Sequence, residues 1–556
     1  MDLMKLDQVS FTYPGLSVPA LSQVSLSVAS SQFIIICGPS GCGKTTLVRN
    51  LKREIAPHGK LDGKIFYRGK DISQPTSIVS AADIGFVMQD PDNQVVTDTV
   101  WHELAFGLEN LGLPTTTIRR RVAETAHFFG INTWFNKSVF SLSGGQKQVL
   151  NLAAVMAMQP DLIILDEPVA QLDPIAAKEF LSVLKRIHLE LGTTVIMTEH
   201  MLEDVFPLAD KVVYMEQGSV KFFGTPQDFV LSATQTANHP YVKALPSAVQ
   251  IARSLDEHHE LPITVNQGRI WLKAYLHGSC LVPAADYGLP GRYPEFQDTP
   301  LLSAKDVWFR YNPDDDFVLK GFSCDINEGQ ILSIVGGNGS GKSTALNILA
   351  GLSRPQRGRL KWRGKDIKTA GRSDQIRIAM LPQNPKVMFI EDTVADDLLE
   401  GSRHIPVNQA EMAVEQIAQR LNITHLLHKH PYDLSGGEQQ KAALGKLMLL
   451  KPQVMLLDEP TKGLDIYAKD ELAGILRQHC SKGGAVVIVT HDVEFAAQYS
   501  DTCAMIFNGE VTCLDSAKAF FAGNTFYTTS ANRMSRGMIS DAVTCEDVVN
   551  ACRSTL

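Results

Sequence analysis

Short runs of consecutive apolar residues, each about the length of one strand, recur along the chain. Residues 33–37 (FIIIC) and 331–335 (ILSIV) each lead into a glycine-rich stretch, which opens an apolar-periodic segment at 45–51 (TTLVRNL) and at 343–349 (STALNIL). An uninterrupted apolar run of this length reads as a strand buried on both faces, and the 3.6-residue period after it reads as a helix. LIILDEP (162–168), VMLLDEP (454–460), TTVIMTEH (193–200) and AVVIVTH (485–491) predict further buried strands, as do IGFVM (84–88) and IAMLP (378–382). Strands that alternate with helices predict an α/β fold on parallel sheets. No apolar stretch approaches the ~18 residues that cross a bilayer, so the chain is expected not to insert into a membrane.

The elements come as one ordered set that occurs twice. Gly38, Pro39, Ser40, Gly41, Cys42, Gly43, Lys44 and Thr45 are matched by Gly336, Gly337, Asn338, Gly339, Ser340, Gly341, Lys342 and Ser343. LSGGQ at 142–146 is matched by LSGGE at 434–438, and the acidic runs ending at Glu167 and Glu459 are followed by His200 and His491. Lys342 follows Lys44 by 298 residues and Glu459 follows Glu167 by 292, so the repeat unit is a whole domain.

Each copy carries the order strand, GxxxxGK[ST] loop, helix, which is the context of a phosphate-binding P-loop. Its glycines let backbone N–H groups converge on phosphates, Lys44 and Lys342 reach the β and γ oxygens, and Thr45 and Ser343 offer a hydroxyl to Mg²⁺. Thr46 and Thr344 continue the same helix start. Asp166 and Asp458 emerge at the carboxyl ends of their strands, where open α/β sheets bind ligands, and are expected to hold Mg²⁺ through water. Glu167 and Glu459, one residue on, are expected on the opposite strand face, free to polarise an attacking water as general base. His200 and His491 read as γ-phosphate sensors; a lone histidine is more often structural, and it is the repeated placement that favours function. Gln89 and Gln383, after the strands at 84–88 and 378–382, are expected to ligate Mg²⁺, where an isolated glutamine would be a solvated loop residue. Cys42 is expected to be an exposed thiol that ATP protects.

Composition narrows the alternatives. With 44% hydrophobic and 20% charged residues, the 556-residue chain is expected to fold into two or more globular domains. Nine cysteines without CxxC pairs or zinc-spaced histidines argue against a disulfide or metal framework and for a reducing compartment. A net charge of -8 argues against nucleic acid as a direct partner. The first residues, MDLMKLDQVSFTYPG, lack a secretory leader, which predicts a cytoplasmic protein.

With the P-loops, DEP strands and histidines, LSGGQ and LSGGE make both halves resemble ABC-type ATPases over nearly all of residues 1–230 and 300–525. The resemblance implies two tandem P-loop NTPase domains, each with a mainly parallel sheet core, an antiparallel β subdomain and a helical signature subdomain. It implies ATP as substrate with Mg²⁺, and a head-to-tail sandwich with two composite sites. In that arrangement Ser435, Gly436 and Gly437 complete the site of Lys44, and Ser143, Gly144 and Gly145 that of Lys342. Tyr13 and Tyr311 match the family's adenine-stacking aromatic, although edge-strand packing would also suit them. Asp173 and Asp465 match its inter-half contact loop. Gln171, Glu438 and Cys42 depart from the family pattern and put equal turnover of the two sites in question.

A narrower resemblance lies in QDPDNQVVTDTVWHELAFGLENLGLP, residues 89–114, which is similar to the glutamine-loop region of ATPases from energy-coupling-factor (ECF) importers of vitamins or cobalt and nickel ions. Residues 383–401 match more loosely. This likeness implies a transmembrane coupling subunit and a small membrane substrate-binding subunit as partners, with the chain a monomer at the cytoplasmic face of the membrane. A ribosome-associated twin cassette lacks support, because residues 234–299 are Pro-punctuated rather than long, charged and helical; a sugar-importer twin cassette would lack the DPDNQ stretch. The expected domains are 1–233 and 300–525, with a linker at 234–299 and an accessory tail at 526–556. The linker is read as one short helix between Pro246 and Pro262 with an extended connector, and the tail as two helices opened near residues 530–532 and by Thr544.

Overall fold

The structure, a computed structural model, describes residues 2–72, 81–235, 240–255, 261–276, 299–367, 377–403 and 405–554. It divides into two compact units, Met1–Gly268 and Arg269–Leu556.

In the first unit, six strands form one sheet in the order Ser219–Gly224, Lys211–Glu216, Phe33–Cys37, Thr194–Thr198, Leu162–Asp166, Ile84–Val87. All neighbours run parallel except the Ser219–Gly224 edge strand. Every residue of the Phe33–Cys37, Leu162–Asp166 and Thr194–Thr198 strands is buried, as expected for strands covered on both faces. A second, antiparallel sheet pairs Leu21–Ala29, Asp2–Thr12, Lys60–Tyr67 and Lys70–Asp71. Its inward residues, among them Leu6, Val24 and Ile65, share one core with Ile34 and Ile36 and with Leu47 of the P-loop helix. The helices Val100–Asn110, Thr115–Phe128 and Gly144–Ala157 enclose a separate core around Leu104, Leu108 and Leu150.

The second unit repeats this plan. Its six-stranded sheet runs Ile378–Leu381, Val454–Asp458, Ala485–Val489, Ile331–Val335, Thr502–Phe507, Glu510–Ser516, and an antiparallel sheet holds Leu319–Ile326, Leu302–Phe309, Arg357–Trp362 and Lys365–Asp366. In both copies the strand before the P-loop is central and flanked by parallel neighbours, so the loop leaves the sheet at its carboxyl edge.

Much of the expected linker, including residues 277–298, lies outside the described residues. What is described corrects the reading of one helix and an extended connector: Ser247–Leu255 is followed by a second helix, Val265–Tyr275. Thr264 accepts a hydrogen bond from Gln267 N (3.1 Å) and Gln267 Oε1 accepts from Thr264 N (3.2 Å), a capping exchange that starts this helix past Pro262. In the tail, helices Ser530–Ser535 and Cys545–Arg553 begin at Thr529 and Thr544, the latter in a capping box with Asp547. No helix among the described residues is long and apolar enough to cross a membrane.

Candidate functional site

Each P-loop is held by its own lysine. Lys44 Nζ donates to the carbonyls of Gly38 (2.9 Å) and Pro39 (3.1 Å), and Lys342 Nζ to those of Gly336 and Gly337 (both 2.9 Å). Gly38 has φ 151°, and a Cβ there would stand 2.2 Å from the Met215 carbonyl oxygen; at Gly336 (φ 154°) it would stand 2.4 Å from that of Ile506. Only glycine lets the loop pass so close to the neighbouring strand. Gly43 and Gly341 take φ of 100° and 102° as the helices Lys44–Asn50 and Lys342–Leu349 begin. Cys42 is not the exposed thiol expected: it is 3% exposed, packed into the core below the loop with its Sγ 4.0 Å from Lys44 Nζ. It is a small apolar side chain that shares the core of Leu47 and Met215. Tyr13 Oη meets Thr46 Oγ1 and Tyr311 Oη meets Thr344 Oγ1, each at 3.0 Å, which brings both aromatics to the P-loop helix start.

The carboxylates gather beside these loops. Thr45 Oγ1 donates to Asp166 Oδ1 (3.1 Å), which also receives Thr198 Oγ1 (2.8 Å). In the second unit Ser343 hydrogen-bonds Asp458. Burial pushes both aspartates above the usual carboxylate range, against the opposing hydroxyl hydrogen bonds. Hydroxyl, carboxylate and amide oxygens are hard donors that suit Mg²⁺, so Thr45 with Asp166 and Ser343 with Asp458 fit the ion the sequence implies.

Glu167 and Glu459 correct one step of the sequence argument. The strands end at Asp166 and Asp458, and the glutamates lie beyond them in left-handed backbone, φ 45° and 52°. It is this turn before a proline, not strand alternation, that separates them from the aspartates. Glu167 is gripped on both oxygens: His200 Nε2 lies 2.7 Å from Oε1 and Gln89 Nε2 donates to Oε2 (2.8 Å). Burial pushes Glu167 up, yet the charge and hydrogen bond of His200, with Lys44 behind, hold it below the ordinary range. His491 Nε2 stands 3.3 Å from Glu459 Oε1, and only its backbone N–H reaches Oε2 (3.2 Å). There burial wins, helped by Asp458, and Glu459 is raised to about 8. Gln383 is exposed after Ile378–Leu381.

Residue types alone missed two members of the first site. Thr198 ties Asp166 and also accepts the Glu167 N–H (2.9 Å), whereas the second unit has Val489 at that register. Glu199, 3% exposed, accepts weakly from His200 N (3.3 Å) and Val169 N (3.5 Å). Burial and the neighbouring Glu167 charge push it well above the ordinary range, at a position where the second unit has Thr490. Comparing TEH with VTH across the repeat would have flagged it.

The two LSGG motifs open helices. Ser143 and Ser435 are exposed N-caps of Gly144–Ala157 and Gly436–Leu449, each in a capping box with Gln146 or Glu438. Ser435 Oγ donates to the Glu438 carboxylate (2.7 Å). Asp173 and Asp465 cap the helices Pro174–Leu191 and Ile466–Cys480. The glutamine-loop segment is clamped to the signature helix: Asn151 Nδ2 donates to Pro91 O (3.0 Å), Gln148 Nε2 to Met88 O (3.2 Å), and Lys147 Nζ lies 2.5 Å from Asp92. Val96 and Trp101 stand 63% and 44% exposed beside it, as do Val387 and Ile390 (68% and 67%) in the second unit.

The family model for ABC transporters matches residues 21–170 and 319–462. An ABC transporter ATP-binding protein of Bacillus anthracis, a provisional name, is 41% identical over 99% of this chain and 98% of its own. One of Streptomyces coelicolor is 34% identical over 92% and 93%. A Bacillus subtilis protein provisionally named HMP/thiamine import ATP-binding protein YkoD is 29% identical over 91% of this chain and 90% of its own. Among solved structures, cbiO1 of Clostridium perfringens, part of the ABC transporter complex cbiONQ, is 30% identical and covers 43% of this chain and 97% of its own at a TM-score of 0.38. Two family matches, one on each P-loop, and relatives alike from end to end agree with the duplicated geometry: the chain belongs to the ABC transporter ATP-binding proteins and carries two of their ATP-hydrolysing domains.

Proposed function

We propose that this chain is the motor subunit of an ECF-type importer, peripheral at the cytoplasmic face of the membrane, where it drives uptake of a vitamin or of cobalt or nickel ions. The observation that carries the reading is the glutamine-loop segment: it joins Gln89, which touches Glu167, to exposed Val96 and Trp101 by way of a clamp on the signature helix. A partner helix seated on Val96 and Trp101 would thus act on the residues around the attacking water. The HMP/thiamine import name of one relative agrees with vitamin uptake.

In this reading each base, Glu167 or, once it has lost its own proton, Glu459, takes a proton from the water that attacks the γ-phosphate, and His200 or His491 holds the carboxylate in place. Mg²⁺, held by Thr45 with Asp166 and by Ser343 with Asp458, with Gln89 and Gln383 as the further ligands the sequence implies, would neutralise phosphate charge. Lys44 and Lys342 exchange their loop carbonyls for phosphate oxygens. Ser435 with Gly437, and Ser143 with Gly145, supply the N–H-rich helix starts that cap the opposite phosphates.

Purification from detergent-solubilised membranes tests the transport assignment. The chain should bring down an integral membrane protein together with a small substrate-binding one. Trp101→Ala with Val96→Asp should release both while MgATP binding stays within about twofold, because neither residue touches the P-loop. A chain that fractionates with ribosomes and without membrane protein overturns the reading.

A further inference from the structure

The segment after each domain returns to that domain's nucleotide site at two points. In the first unit Tyr241, in the 3₁₀ turn Pro240–Ala244, is 3% exposed and its Oη accepts the N–H of Gly38, the first P-loop glycine (3.2 Å). The carbonyl of that same glycine takes Lys44 Nζ (2.9 Å), so the tyrosine is one residue's backbone away from the phosphate-binding lysine. The ring is fixed against Tyr214 (centroids 5.1 Å), which packs on Phe229. The second point is Glu203, three residues past His200. Its Oε2 accepts both the N–H (2.7 Å) and the hydroxyl (3.0 Å) of Ser247, the first residue of Ser247–Leu255.

In the second unit the tail approaches the corresponding places. Tyr527 Oη stands 3.8 Å from where a Cβ on Gly337 would lie, and the Gly337 carbonyl takes Lys342 Nζ. Glu494, three residues past His491, accepts from the N–H of Ser530 (2.8 Å), which opens Ser530–Ser535. Val543 of the tail shares a core with Val335, the residue before the P-loop, and with Phe521. Tyr241, Tyr527, Glu203 and Glu494 lie outside the two P-loops and the two LSGG motifs.

We propose that the segment following each ATPase domain is a strap that reads its own domain's nucleotide, with Tyr241 and Tyr527 as positioning residues for the P-loops and Glu203 and Glu494 as anchors beside the histidines. Its ends lie at the loop that receives the phosphates and just beyond the residue expected to sense the γ-phosphate. When ATP draws Lys44 off the Gly38 carbonyl, the peptide that Tyr241 holds feels the change directly. Without the hydroxyl, the buried Gly38 N–H loses its acceptor and the loop is no longer fixed. The proposal needs the loops to bind ATP but not the import reading, so a chain with no membrane partner leaves its test intact.

The test uses the full chain with one loop disabled at a time. In a Lys342→Ala background, where only the first loop binds, Tyr241→Phe should weaken MgATP about fivefold, the value of one hydrogen bond, while Tyr527→Phe changes it less than twofold. In a Lys44→Ala background the two tyrosines should exchange roles. Hydrogen–deuterium exchange should show MgATP slowing exchange in residues 241–255 of the otherwise unchanged chain, and Tyr241→Phe removing that response. Unchanged affinity in the tyrosine variants, or equal weakening of both sites by either one, overturns the strap. Should Tyr241→Phe fail to fold, exchange in the unsubstituted chain decides: straps at 241–255 and 527–535 that ignore MgATP overturn it.

Discussion

The two halves differ most where a single side chain decides the protonation of its neighbours. His200 lies 2.7 Å from Glu167 and His491 3.3 Å from Glu459, and the two glutamates shift in opposite directions from their ordinary range. Glu199 adds to the first half alone a buried carboxyl that burial pushes well above its ordinary range. Because its folded-state pKa is raised, the folded chain holds a proton that the unfolded chain gives up above the ordinary carboxylate range. Stability therefore falls as pH rises through that range, by at most about 1.4 kcal/mol per pH unit. Glu199→Gln, which copies the neutral acid in shape, should leave ATP turnover within about twofold and remove this slope, so the variant gains on the unsubstituted chain as pH rises. Melting curves between pH 5 and 8 check it; a large loss of stability at pH 5 would mean the carboxylate was ionised. At the capping serines, the Ser435 O–H donates to the Glu438 carboxylate (2.7 Å), whereas the Gln146 amide oxygen takes the Ser143 N–H (3.0 Å) and the Ser143 hydroxyl accepts the Gln146 N–H (3.3 Å), which is the physical content of a departure the family pattern only flags.

At the scale of elements, equivalent positions are stabilised by different means. Glu103, 6% exposed, is satisfied by the N–H groups of Val96 (3.1 Å) and Thr97 (2.8 Å) and by the Thr97 hydroxyl (2.9 Å). Its counterpart Asp397, 1% exposed, also accepts the N–H groups of Ile390 (3.1 Å) and Glu391 (3.4 Å) but adds an ion pair with Lys446 (2.8 Å), which also meets Glu400 (2.9 Å) and the Met388 carbonyl (2.9 Å). Lys446→Ala leaves a buried carboxylate without its cation and should cost about 3–5 kcal/mol, read as a lower melting temperature with faster exchange confined to residues 388–449. These elements also mark how far the sequence was readable. The apolar runs at 33–37, 162–165 and 331–335 announced their strands, because burial on both faces favours apolar residues there; Ser333 is accommodated by a hydroxyl bond to Ser500 (2.6 Å). Residues 530–532 and Thr544 likewise announced the tail helices, the first of which is capped one residue earlier, at Thr529. Val265–Tyr275 was not legible, since its mean hydropathy is near zero and its start depends on Thr264 and Gln267. Strand alternation was the wrong reason for the placing of Glu167 and Glu459, whose left-handed turns each carry a tertiary bond of the N–H to a neighbouring-strand carbonyl, that of Thr198 (3.2 Å) or Val489 (2.8 Å). Tyr241 and Glu203 were out of reach for a different reason: their partners lie 203 and 44 residues away.

For the whole molecule, the duplication is the decisive fact. Both P-loops, both Asp–Glu pairs and both capped LSGG helices are present in one chain, whereas a single-domain ATPase must find a second copy by diffusion. A tether that joins the halves makes their meeting intramolecular, at an effective concentration that reaches the millimolar range for suitable lengths. Closure on ATP should then be independent of protein concentration. The most direct measurement traps ATP in Glu167→Gln/Glu459→Gln protein, in which the binding groups remain and water activation is lost by about 10²-fold or more, and determines bound nucleotide and molecular mass together. The account predicts two ATP per chain at the mass of one chain, with one ATP lost when Ser435→Arg or Ser143→Arg is added; ATP-driven obligatory dimers of the chain, or stoichiometry unmoved by either arginine, would contradict it.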